Sequence, residues 1–146
     1  MATVAEDTLP GVPPLRLLVF TSGGLRFGAD ADQVAALGPW DPDDPHPHAV
    51  PFHRAVGLGN AEEFRNPETC TVSRGGEVCT LIIDSPDDLV SVEMRLVRPL
   101  PLLVEPFALE RGVWAAIPGE EGILLLVDLH RLATNRNLWH PQGDLS

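Results

Sequence analysis

The residues best suited to chemistry are gathered in one short stretch. Asp41, Asp43, Asp44, His46 and His48 lie close together, with His53 a few residues on. Carboxylate and imidazole groups bind divalent cations, but a site needs three or four of them converging, each held by a supporting hydrogen bond. The spacing here argues against convergence. His46 and His48 flank Pro47 at alternate positions and not four apart on one helical face. The favoured reading is a solvated acidic turn. The alternative is a metal- or small-ligand-binding regulatory domain centred on His46, His48 and His53. No metal ligand and no cofactor is assigned.

Other chemistry has less support. Ser22 precedes Gly23-Gly24, but the GxSxG elbow of a nucleophilic serine is absent and no His–Asp pair stands out as its partner. Glu120 and Glu121 share one tight turn, whereas a pair of glycosidase carboxylates must flank a cleft. Gly23-Gly24 and Gly75-Gly76 fall short of a phosphate-cradling loop and are not followed by helices. Asp84 and Asp128 each end an apolar run, where a carboxylate accepts hydrogen bonds from free backbone N–H groups, so both are read as caps. Cys70 and Cys79 are not spaced as CxxC and are read as small buried thiols on strands. No nucleophile is supplied with a base, and the chain is read as not an enzyme.

Composition narrows the partners. The chain has 146 residues, enough for one domain or for two small subdomains sharing a core. It carries 21 acidic residues against 10 basic ones, a net charge of −11, and lacks lysine altogether. Such a field repels phosphate, which makes nucleic acid and anionic membrane poor partners. The longest aliphatic run, Ile123 to Val127, is far too short to span a bilayer, and no charged stretch followed by an apolar core opens the chain. The expectation is a cytoplasmic protein with reduced thiols.

The elements that would position these residues are mostly strands. Residues 15–20 (LRLLVF) and 25–29 (LRFGA) form a hairpin around TSGG. Residues 30–38 fit a short helix, because Asp30 and Gln33 match a capping box and Val34 and Leu37 share a helical face; a turn running into a strand competes. Four prolines make 39–48 a loop. A brief strand and a helical turn follow over 49–59. Residues 69–84 read as a second hairpin about Gly75-Gly76, and Val90, Val92, Met94 and Leu96 mark one face of a half-buried strand. The prolines at 99, 101 and 106 are expected to stop pairing. Val113 to Ile117 and Ile123 to Leu129 make a third hairpin, and Leu129, Leu132 and Ala133 open a short C-terminal helix. The strand spacing alone predicts an all-β fold.

Read in order, these segments resemble the CheW-like family, the adaptor domain of bacterial chemosensory arrays. LRLLVFTSGGLRFGADADQVAAL (15–37) is similar to the opening of that family, and AVPFHRAVGLG (49–59) to its V-P-V-x-D-L stretch, with His53 and Arg54 as departures. EVCTLIIDSPDDLVSVEMRLVRPLPLL (77–103) and RGVWAAIPGEEGILLLVDLHRL (111–132) are similar to its later strands, closing hairpin and helix. Each motif is weak alone; their order carries the likeness over about 120 residues. One departure is plain. The N-L-R-G motif, whose arginine helps the family contact receptors, is missing, and the shortened GPWDPDDPHPHA (38–49) stands in its place.

The resemblance implies two intertwined small SH3-like β-barrel subdomains with a short C-terminal helix, favouring turn-plus-strand over a helix at 30–38. It implies a domain over 15–133, between a flexible leader (1–14) and a tail (134–146). It implies a non-catalytic scaffold that couples receptors and a CheA-like histidine kinase, or other array proteins, through surface contacts, without direct membrane insertion. Self-association is left open. Trp40, Val50 and Phe52 are the expected contact residues of one surface, and Arg111, Val113 and Trp114 of a second.

Overall fold

The computed structural model describes residues 13–41, 43, 49–58 and 64–132, with the backbone of 140–141. The chain opens with β1 (Leu15–Ser22) and β2 (Leu25–Asp30), an antiparallel hairpin. Gly23 and Gly24 turn it with φ of 58° and 79°, the left-handed pair that a two-residue hairpin of this twist requires. A six-stranded sheet grows around this hairpin. β7 (Asp88–Val92) pairs antiparallel with β1, and β10 (Gly122–Val127) runs parallel to β2. β9 (Val113–Gly119) then pairs with β10, and β8 (Arg98–Pro99) closes the far edge.

A second, five-stranded sheet is built from the middle of the chain. β5 (Pro67–Arg74) and β6 (Glu77–Asp84) form its long hairpin, with β3 (Val34–Pro39) on the outer edge of β5. β4 (Ala49–Pro51) runs parallel to β6, and β11 (His140–Pro141) pairs with the start of the same strand. The chain thus enters the first sheet, crosses to the second, returns to the first and ends on the second. Two all-β subdomains are intertwined by that path. The rung at His140–Pro141 belongs to the stretch read from sequence as a tail.

Two apolar clusters explain the sequence pattern. One lies between the sheets and joins Phe20, Phe27 and Ala29 of the first to Cys70, Val72, Cys79, Leu81 and Ile83 of the second. The other fills the inside of the first sheet, with Leu17, Val19, Ala115, Leu124 and Leu126. β1, β2 and β10 therefore bury both faces: Leu17 and Val19 face one cluster while Phe20 faces the other. Strands buried on both sides lose their polar alternation, which is why LRLLVF and ILLLV read as continuous apolar runs. The short helix Phe52–Ala55 drives Phe52 between the sheets, its ring edge-on to Phe20 at 4.8 Å and to Phe27 at 4.9 Å.

Residues 31–33 form a single 3-10 turn capped by Asp30 and Val34–Pro39 is strand, the turn-plus-strand that the family resemblance favours over the helix suggested by spacing alone. One and a half helical turns cannot outweigh a ladder with β5. Gln33 makes no capping-box return; its side chain reaches the other end of the fold, donating to Asp128 Oδ1 at 2.9 Å and accepting from Leu129 N at 2.7 Å. The strand expected over 90–96 stops at Val92, which pairs with Leu15, the first residue of β1; beyond it no strand partner lies among the described residues, and Met94–Leu96 becomes a 3-10 turn. Pro99, expected to end pairing, lies in β8, an edge position where a missing N–H is tolerated. The prolines also hid a helix, Glu105–Glu110, whose first turn accommodates Pro106.

Candidate partner-binding surface

The caps are found where the sequence placed them, with one change. Asp128 Oδ1 accepts from His130 N at 3.0 Å and Arg131 N at 3.2 Å, opening the helix Leu129–Leu132. Asp84 Oδ1 holds Arg65 N and Asn66 N, so it caps the loop leading into β5 and not the turn that follows it. Cys70 and Cys79 are free thiols in the core. Burial pushes the Cys70 thiol up to about 12, with the neighbouring Cys79 adding to the rise. Burial likewise lifts Cys79 to about 11 against the pull of Arg74. Thiols so held are packing groups and not nucleophiles.

The residues weighed for chemistry stay apart. Ser22 is buried at the end of β1, whereas Glu120 and Glu121 are exposed in the turn between β9 and β10. Asp41 and Asp43 are exposed, with Asp41 Oδ1 accepting from Asp43 N. His53 is buried in the Phe52–Ala55 helix, its ring centroid 6.0 Å from that of Phe64. Asp44, His46 and His48 lie outside the described residues. Among the described residues, no three His, Cys, Asp or Glu side chains are grouped to hold a metal ion.

The expected contact residues do not form one patch. Trp40 is half-buried just past β3, and Val50 is half-buried in β4 opposite Leu81. Phe52 is 0% exposed and belongs to the core. It was expected on a surface, yet the parallel pairing of β4 with β6 steers it inward. Arg111 is exposed, its guanidinium lying over Gly57, where any side chain would collide with it. Val113 packs on the cluster between the sheets and Trp114 on the cluster inside the first sheet, so these neighbours face opposite ways.

A more conspicuous surface escaped the sequence reading. Leu102 and Leu103 are 86% and 88% exposed, and Val104 and Phe107 follow at 48% and 68%. These four come from the turn before the Glu105–Glu110 helix and from its first turns. The helix rests on β9 and on the C-terminal helix but carries no buried residue. Four large apolar side chains exposed within six residues make this segment a candidate contact surface. A signal was present in the text: PLPLLVEPF is apolar, yet no strand or helix period gives it a core to face. Several arginines pair within the chain: Arg26 with Glu121 at 3.4 Å, Arg95 with Glu93 at 2.6 Å, and Arg98 on the carbonyl of Arg95. The acidic surplus is left to set the field around the molecule. Among the described residues, no helix is long and apolar enough to cross a membrane.

Comparison with known proteins agrees with this architecture. No family model and no curated protein matches the chain. Among solved structures, the scaffolding protein TtCheW from Thermoanaerobacter tengcongensis is similar with a TM-score of 0.64 and 15% sequence identity. The match covers 85% of this chain and 95% of that protein. At that identity the likeness is one of backbone path, and the path is the alternation between two sheets described above. The chain is built as a divergent CheW-like fold.

Proposed function

We propose that the protein is a non-catalytic adaptor of a bacterial chemosensory system, joining receptors to a histidine kinase by protein–protein contacts in the cytoplasm. The observation that carries this reading is the fold shared with a scaffolding protein. The exposed apolar group of Leu102, Leu103, Val104 and Phe107 supports it, since a domain that works by contact must keep such a surface uncovered. The contact-making unit is the domain expected over 15–133, together with the rung at His140–Pro141. Trp40 and Val50 contribute to one surface, and Arg111, with the half-buried Trp114, to another; Val113 is turned toward the cluster between the sheets. The missing N-L-R-G motif means that receptor contact here is made by other side chains, with Trp40, at the start of the shortened segment, the leading one.

Co-purification of the full chain with a histidine-kinase core and a receptor cytoplasmic fragment tests the reading. Association with at least one of them at tens of micromolar is expected. No association with either would overturn it.

A further inference from the structure

A cleft of about 170 Å³ opens at one end of the first sheet, where β1, β2, β9 and β10 meet. Its base is apolar: Leu17 is 2% exposed, and Leu15 packs against the same inner cluster. The half-buried ring of Trp114 lines one side. Asp30, Gln33 and Asp128 supply the polar lining, and among the described residues no basic side chain joins them.

The two carboxylates are fixed before any ligand arrives. Asp30 Oδ1 accepts from Asp32 N at 2.9 Å. Asp128 Oδ1 accepts from Gln33 Nε2, His130 N and Arg131 N. On each residue the bonding uses one oxygen, and among the described residues the second accepts no hydrogen bond. The nearby Arg16 pairs with Asp32 and with neither of these groups. Gln33 is likewise locked by its two bonds across the fold. The site is thus preorganised, carries two carboxylates and has an indole ring in its lining.

Size and charge choose the occupant. Pockets for cofactors and drug-sized ligands run from roughly 300 to 1,000 Å³, so this one suits a single side chain. An apolar base accepts a methylene stem, an indole face attracts a cation, and two separated carboxylates suit a planar group with several donors. Guanidinium has that form, whereas a lysine ammonium is a compact and strongly hydrated charge. We propose that the Asp30–Trp114–Asp128 cleft receives one arginine side chain from a partner protein. The inference deepens the adaptor reading and rests on it for the source of the arginine.

The test uses the full chain, labelled with ¹⁵N and titrated with the N-acetyl amides of arginine, lysine and citrulline. NMR follows the indole N–H of Trp114, assigned with a Trp114→Phe variant. Arginine should shift that signal saturably in the millimolar range, lysine more weakly, and citrulline, which keeps the shape without the charge, not at all. A double variant, Asp30→Asn with Asp128→Asn, keeps the capping oxygens and should weaken arginine binding about ten-fold. No saturable shift, or a citrulline response equal to that of arginine, overturns the proposal. Failure here is separable from failure of the adaptor reading. Arginine capture without kinase or receptor association supports the cleft and sinks the adaptor role. Kinase or receptor binding that is indifferent to the double variant keeps the adaptor role and removes the partner's arginine from the cleft.

Discussion

Phe52 and Phe107 begin alike and end in opposite environments. Each directly follows a proline, Pro51 or Pro106, and each lies in the first turns of a short helix. Yet Phe52 touches Phe20 and Phe27 in the core while Phe107 projects into solvent. The difference lies in what comes before. β4 docks on β6 and delivers Phe52 between the two sheets, whereas the Glu105–Glu110 helix is laid on the outside of β9. Local sequence sets the helical turn, and tertiary position decides whether its apolar residue holds the fold together or projects into solvent.

The largest effect should come from breaking the buried member of this pair. Phe52→Ala removes a ring that two others lean on and should cost about 3–5 kcal/mol of stability. Phe107→Ala should stay within about 0.5 kcal/mol. Urea denaturation of both variants checks the contrast, and similar losses from the two would dissolve it.

Alkaline titration sharpens the same point, because the core that buries Phe52 also buries both thiols. The unfolded chain gives up their protons near pH 9, while the folded chain holds them up to about 11 for Cys79 and about 12 for Cys70. In that window the folded state binds more protons, so stability is intact below pH 9 and falls as pH rises. The slope should approach about 1.4 kcal/mol per pH unit for each thiol. Replacing both residues with alanine should flatten that part of the profile, measured by urea midpoints from pH 8 to 11. An unchanged slope would mean that the thiols are hydrated.

On the exposed side, Leu103→Glu with Phe107→Glu should leave the urea midpoint nearly unchanged and weaken partner binding about ten-fold or more. A fold lost with the binding would make the patch part of the core. The smallest effect belongs to the connection between these regions. Asp128→Ala removes the cap of the Leu129–Leu132 helix and the anchor of Gln33, and should cost about 1 kcal/mol by thermal or chemical melting. Asp128→Asn should cost less, since its amide oxygen still accepts.

The hairpins were legible because their signals are local. Gly75-Gly76 between two β-rich runs needs no knowledge of the remainder of the chain, and the long apolar runs of β1 and β10 report burial on both faces. What escaped depends on distant neighbours. Residues 34–39 are strand because β5 is beside them, and β7 ends where β1 begins. Prolines signal only interruption, and that signal conceals both the edge strand at Pro99 and the helix at 105–110. The site was less legible than the fold for the same reason. Phe52 lies in the core and Leu103 in solvent, and apolar character alone does not say which side of a sheet a residue will meet.

On the proposed reading, this chain works through its uncovered apolar surface. Calorimetric titration of a histidine-kinase core into the wild-type chain and into the Leu103→Glu, Phe107→Glu variant tests it most directly. Saturable binding by the wild type and at least about ten-fold weaker binding by a fully folded variant is the predicted result. Equal affinity for the two proteins would contradict it.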